Sequence, residues 1–171
     1  MHDPSLRVRS GRGESTDRRV AGVTEAKTAN DAAADFVRRF AEYWRAPTPA
    51  GLETVLAEQV RLIAPLTPAA HTLAEGQRAF AELFELIRDM TAEVHRWGAT
   101  ADGVLIEFTI SGVAGGKPIS WDAVDRFVIG EGGLATERVS YFDSGPIVLA
   151  AAGRPRAWPG FLRSRLRQLR R

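Results

Sequence analysis

The apolar residues of this chain change period about halfway along it. Between residues 31 and 90 they recur at spacings of three and four, and beyond Met90 they alternate, the marks of helix followed by strand. A first helix is predicted to start at Asn30 or Asp31, either of which can cap it, and to carry Phe36, Val37, Phe40, Tyr43 and Trp44 along one face before Pro47 and Pro49 stop it. A short helix over Gly51 to Glu58 would bury Leu52, Val55 and Leu56. Val60 to Pro65 reads as a brief strand ended by proline, Leu66 to Leu73 as a loop, and Ala74 to Met90 as an amphipathic helix with Phe80, Leu83, Phe84 and Ile87 inward. Four strands follow, at Ala92–Ala99, Val104–Val113, Pro118–Ile129 and Leu134–Phe142. Their short connections make an antiparallel meander. The predicted class is α+β, a curved antiparallel sheet with three covering helices that close over its concave face and leave a pocket.

Composition adds bounds. A chain of 171 residues with 44% hydrophobic content suits one domain with an ordinary core. Residues 1–30 lack apolar periodicity and are expected to form a disordered arm; the domain proper spans 31–149, and 150–171 form a tail. The absence of cysteine excludes disulfides and thiolate chemistry, and His2, His71 and His95 make no metal motif, so no metal and no cofactor are expected. The Arg-rich, Lys-poor, Ala-rich composition suggests a GC-rich bacterial genome. No stretch is long and apolar enough to span a membrane, and residues 1–30 lack a signal peptide's apolar centre, so a cytoplasmic location is expected.

The net charge of +2 conceals a segregation. The tail holds seven arginines and no acid, whereas residues 31–149 hold 17 acids and 10 basic residues. The basic balance therefore does not describe a nucleic-acid-binding surface. After Gly160, Phe161, Leu162, Leu166 and Leu169 would make an apolar stripe flanked by arginines. Such a helix can touch an anionic membrane, but packing on the acidic body or across a dimer interface is the favoured expectation.

Chemistry is concentrated between Gly116 and Ile129. Trp121, Ala123, Asp125, Phe127 and Ile129 share one strand face. Asp125 thus sits in an apolar row, where a carboxylate needs a hydrogen-bond partner, an arginine or its own proton.

The order of elements resembles the nuclear transport factor 2-like, SnoaL-like superfamily, with its cone-shaped sheet. Gly116-Lys117-Pro118, followed by Trp121-Asp122-Ala123-Val124-Asp125, is similar to the ketosteroid isomerase strand that carries an oxyanion-hole aspartic acid. Phe40-Ala41-Glu42-Tyr43 is similar to the segment bearing the partner tyrosine. The resemblance covers residues 31–143, best at 105–130, and implies that Tyr43 and Asp125 donate hydrogen bonds to a carbonyl oxygen that becomes an enolate. Ketosteroid isomerase is itself the standard example of an Asp kept neutral by an apolar site. Trp44, Trp121, Phe127 and Tyr141 would line the substrate site.

One position departs from that pattern. Where the isomerases place a general-base aspartate before a proline, this chain has Ala64 before Pro65. His71, Glu137 and Asp143 are the substitutes within reach, and His71 has the most suitable intrinsic pKa. The last strand also looks like that of polyketide cyclase-like relatives, which often end in an aromatic residue and Asp. The Asp, Arg, Asp set of limonene epoxide hydrolases is not reproduced, because its late Asp falls on Ser140 or Val139. Two functions remain: a cofactor-independent isomerase or lyase/cyclase acting on a small hydrophobic carbonyl substrate, or a non-catalytic ligand-binding or assembly module. The resemblance also implies a homodimer.

Overall fold

The structure is a computed structural model that describes residues 13–152, with side chains described over 27–148. Helix α1 runs Gly13–Tyr43, followed by a 3-10 turn at Ala50–Thr54 and strands β1 (Leu56–Ile63) and β2 (Ala70–Thr72). Then come α2 (Leu73–Leu86), β3 (Ile87–Ala99), β4 (Gly103–Ala114), β5 (Lys117–Ile129), β6 (Ala135–Phe142) and α3 (Gly145–Ala152). The six strands form one curved sheet in the order β2-β1-β6-β5-β4-β3.

The meander β3-β4-β5-β6 is antiparallel throughout, as its short connections require. The sheet as a whole is mixed, because β1 joins β6 in parallel. This parallel pair closes the cone: it brings the chain after α1 beside the last strand. Register shifts in β3 between Arg88 and Thr91 and between Val94 and Arg96 bend the outer strand.

Three boundaries differ from the sequence reading. Residues 13–30 are helical and continue into α1, so neither Asn30 nor Asp31 is a cap. Side chains from 27 to 32 are all exposed, and Ala33 is the first buried one among the described residues. The expected short helix is only the 3-10 turn, and the third covering α-helix is α3. Finally, α2 ends at Leu86, and Ile87 and Met90 are buried from β3 instead. Pairing of Ile87 with Ala114 lets β3 run the length of β4, and those ladder bonds outweigh local helix propensity. The Arg-rich helix expected after Gly160 lies outside the described residues.

The core sits between α1 and the concave face. Ala33, Phe36, Phe40 and Trp44 meet Ile106 and Phe108 of β4 and Phe127 of β5. Ring centroids lie 4.8 Å apart for Phe36 and Phe127, and 5.2 Å apart for Phe40 and Phe108. Each buried phenylalanine contributes about 1.5–3 kcal/mol relative to exposure. Thr72 caps α2 by accepting from the Glu75 N–H at 3.2 Å, while the Glu75 carboxylate reaches back to the His71 N–H at 2.7 Å. Gly76 lets α2 approach β1, since a Cβ there would lie 2.6 Å from Leu62 Cδ1. Among the described residues no helix is long and apolar enough to cross a membrane.

Candidate functional site

The helices close over the open end of the cone and leave a cavity of about 120 Å³. Leu62, Ala64 and Leu66 line it from β1 and the following loop, and Phe80 from α2. Ile110, Trp121 and Ala123 form the sheet wall, with Arg138 and Phe142 from β6. Trp44 and Ile147 complete it. Leu66, in the loop at this site, lies at φ 72°, a left-handed conformation that costs an L-residue about 1–2 kcal/mol.

Among the described residues Arg138 is the one charged side chain in this lining. Its side chain is 12% exposed, its Nε donates to Asp125 Oδ2 at 2.5 Å, and its guanidinium carbon lies 5.6 Å from the centre of the Phe80 ring. The contact with Phe80 is a cation–π arrangement. No other hydrogen bond from this guanidinium is found among the described residues, which leaves its remaining N–H donors to the cavity. Asp125 itself is completely buried, behind Arg138 and not in the lining. Two further polar atoms are buried without a partner among the described residues: the Trp121 indole N–H and the Ser140 hydroxyl. Ser140 stands directly across the ladder from Asp125.

The residues expected at the site separate into three groups. Trp44 and Trp121 line the cavity, and Asp125 reaches it through Arg138. Tyr43 and Phe127 are packed in the core beside it. The Tyr43 hydroxyl donates to the Thr48 carbonyl at 3.1 Å, and burial pushes its phenol well up from the usual value, opposed in part by the charge of Arg138. Tyr43 therefore stays protonated, with its proton directed at Thr48. Phe127 is 1% exposed and packs on Phe36 and Phe40.

His71, Asp143 and Tyr141 are exposed and outside the lining. Asp143 accepts from the Gly145 N–H at 2.9 Å and so anchors the start of α3. Tyr141 is 58% exposed on the outer sheet face, and Phe142 takes the inward place that the sequence reading assigned to Tyr141. The cause is register: Arg138, Ser140 and Phe142 share the concave face, and Glu137 points outward to Arg61 and Arg126. Arg138 was missed because Glu137 and Arg138 are adjacent and both charged, so alternation alone does not say which faces in. The usable signal was Asp125, since a carboxylate in an apolar row calls for a cation across the ladder.

With Ala64 in the lining, no carboxylate, imidazole or phenol lines the cavity among the described residues. Among the described residues no cluster of His, Cys, Asp and Glu could hold a metal ion. The arrangement is a donor site: an arginine oriented from behind by a buried carboxylate, in apolar surroundings that strengthen its field.

The family model of the SnoaL-like domain matches residues 37–138, a span that includes this whole donor arrangement. The chain belongs to the SnoaL-like domain family. Solved structures of SnoaL-like and related proteins share the fold at low identity. A proposed SnoaL-like polyketide cyclase from Jannaschia sp. CCS1 superposes with a TM-score of 0.62 at 16% identity, covering 73% of this chain and 94% of that one. A protein with a ketosteroid isomerase-like fold from Catenulispora acidiphila, solved with trimethylamine, gives 0.61 at 20% identity over 72% and 95%. IdmH, a proposed polyketide cyclase from Streptomyces antibioticus, gives 0.58 at 15% over 70% and 98%. No curated relative matches the chain.

Proposed function

We propose that this SnoaL-like domain binds a small hydrophobic carbonyl compound with its oxygen on Arg138 and stabilises an enolate-like oxyanion there, in isomerase or lyase/cyclase chemistry. The observation that carries the reading is the nearly buried guanidinium of Arg138 in a largely apolar cavity, held by the fully buried Asp125. Charge developing on a carbonyl oxygen is stabilised far more by a donor fixed in a dry site than by water, which must reorganise. Arg138 thus takes the donor role that the isomerase resemblance assigns to Tyr43 and Asp125, and Asp125 orients it.

Among the described residues the lining offers no base, which selects the kind of substrate. A C–H between two carbonyls is acidic enough to lose its proton to water once the enolate is held. The resulting carbon can attack a further carbonyl of the same molecule; a C–C bond forms as that C=O π bond breaks, and its oxygen takes back the proton that water received. Proteins of this fold described as polyketide cyclases support that choice. The absence of a base supports a second reading, a non-catalytic ligand-binding module. A homodimer through the outer sheet face, where Leu105, Val124 and Tyr141 are exposed, is compatible with either.

Titration with a fluorescent naphthol tests the reading, because emission reports whether the bound phenol is ionised. Binding with enhanced ionisation, lost in Arg138→Met and retained in Tyr43→Phe, is the expected result. Binding with no change in ionisation would favour the silent module, and no binding would remove the carbonyl site altogether.

A further inference from the structure

We infer that Asp125 keeps the polar end of the cavity electrically neutral and thereby selects a neutral carbonyl ligand over the matching carboxylate. The inference rests on the carbonyl reading above and names the substrate class more narrowly.

Among the described residues the buried polar side chain that lines the cavity is a donor, the Arg138 guanidinium, and the indole N–H of the lining residue Trp121 is buried without a partner. Such a site requires an acceptor, because an orphaned buried donor keeps its full desolvation cost. For a lone buried arginine the default acceptor would be a carboxylate, its strongest partner. Asp125 changes that default. It already occupies the Nε side of the guanidinium at 2.5 Å, it is 0% exposed, and its Oδ1 has no partner of its own. It is also the one charged residue among the described residues that is fully buried, so Arg138 is the counter-charge it depends on. Ser140 across the ladder is uncharged and leaves this balance unaltered.

A ligand carboxylate placed on the same guanidinium would set two negative charges around one positive charge where water does not screen them. A ketone, lactone or quinone oxygen takes the free N–H groups and adds no charge. An enolate or naphtholate oxygen is still held there, because it is a far more basic acceptor than a carboxylate, gains more from the same N–H donors, and forms in place from a ligand that entered uncharged.

The test uses three ligands on one hydrocarbon body, naphthyl methyl ketone, naphthoate and naphthyl ethanol, titrated against the full chain. The native protein should bind the ketone about tenfold or more tightly than naphthoate. Asp125→Asn, which removes the charge and keeps the shape, should reverse that order, and Arg138→Met should abolish the preference for ketone over alcohol. The native comparison needs no substitution, so it decides the matter even where Asp125→Asn does not fold. Native preference for naphthoate, or an unchanged ratio in folded Asp125→Asn, overturns the inference. If the ketone binds through Arg138 while that ratio stays fixed, the carbonyl reading stands and the selection by charge falls. Binding of none of the three removes the carbonyl reading and this inference with it.

Discussion

Strands β5 and β6 carry two arginine–carboxylate pairs one residue apart, on opposite faces of the same sheet. On the concave side Arg138 holds Asp125, with side chains 12% and 0% exposed. On the convex side Arg126 holds Glu137, at 33% and 21%, and the pair is shared with Arg61 and Asp102. The chemistry is the same and the surroundings are not. The outer network is partly exposed, so its ion pairs are screened by solvent more than the inner one, and Arg61 and Asp102 offer its members alternative partners. Among the described residues the inner pair has no alternative partner, so each member is committed to the other and the arginine's remaining donors are left to the cavity. Pairing of like residues is therefore no guide to function here; the face of the sheet decides it.

The sharpest way to break this comparison is to remove each arginine in turn. Arg138→Met should lower the stability measured by urea unfolding by about 3–5 kcal/mol, because Asp125 is left as an uncompensated buried charge. Arg126→Met should cost below about 1 kcal/mol, and less at high salt. Equal losses would mean that the two faces do not differ as described. The next effect concerns neighbours on β6. Phe142→Ala should cost about 2 kcal/mol, below the fully buried range because Phe142 is half-buried, whereas Tyr141→Ser should stay within about 0.5 kcal/mol. The reverse order would place the register of β6 one residue away.

The smallest effect sharpens the role of Tyr43. Burial raises its folded-state pKa above the ordinary value of 10.0. The unfolded chain then loses this proton first, so the stability contributed by the neutral phenol is complete below pH 10 and is lost as pH rises toward the folded value. Tyr43→Phe should flatten that alkaline fall in unfolding experiments on either side of pH 10. A fall of unchanged steepness would show that the Tyr43 phenol is free to ionise in the folded protein.

Much of the site was legible from residues in order. The alternation of β5 placed Trp121, Ala123, Asp125 and Phe127 on one face, and all four are buried there. The spacing of Phe36, Phe40 and Trp44 likewise gave the buried face of α1. Strand β6 was not legible to the same degree. Glu137-Arg138-Val139-Ser140-Tyr141-Phe142 has a charge, then an aromatic, on each face, so a shift by one residue leaves its pattern nearly unchanged. Helix α2 was read too long for a related reason: Ile87 and Met90 satisfy helical spacing and strand burial equally well.

Local period and turn chemistry, carried by the amino-acid order alone, determined that this is an α+β chain with a meander, a covering amphipathic helix and a carboxylate inside an apolar row. Only the tertiary structure decided what that carboxylate does. Parallel docking of β1 on β6 and the β5–β6 register turned Arg138 inward, left Tyr43 bonded to Thr48, and put His71, Tyr141 and Asp143 in solvent. The physical reason is that a charged side chain's partner is set by which strand lies beside it, a long-range contact that no local pattern encodes.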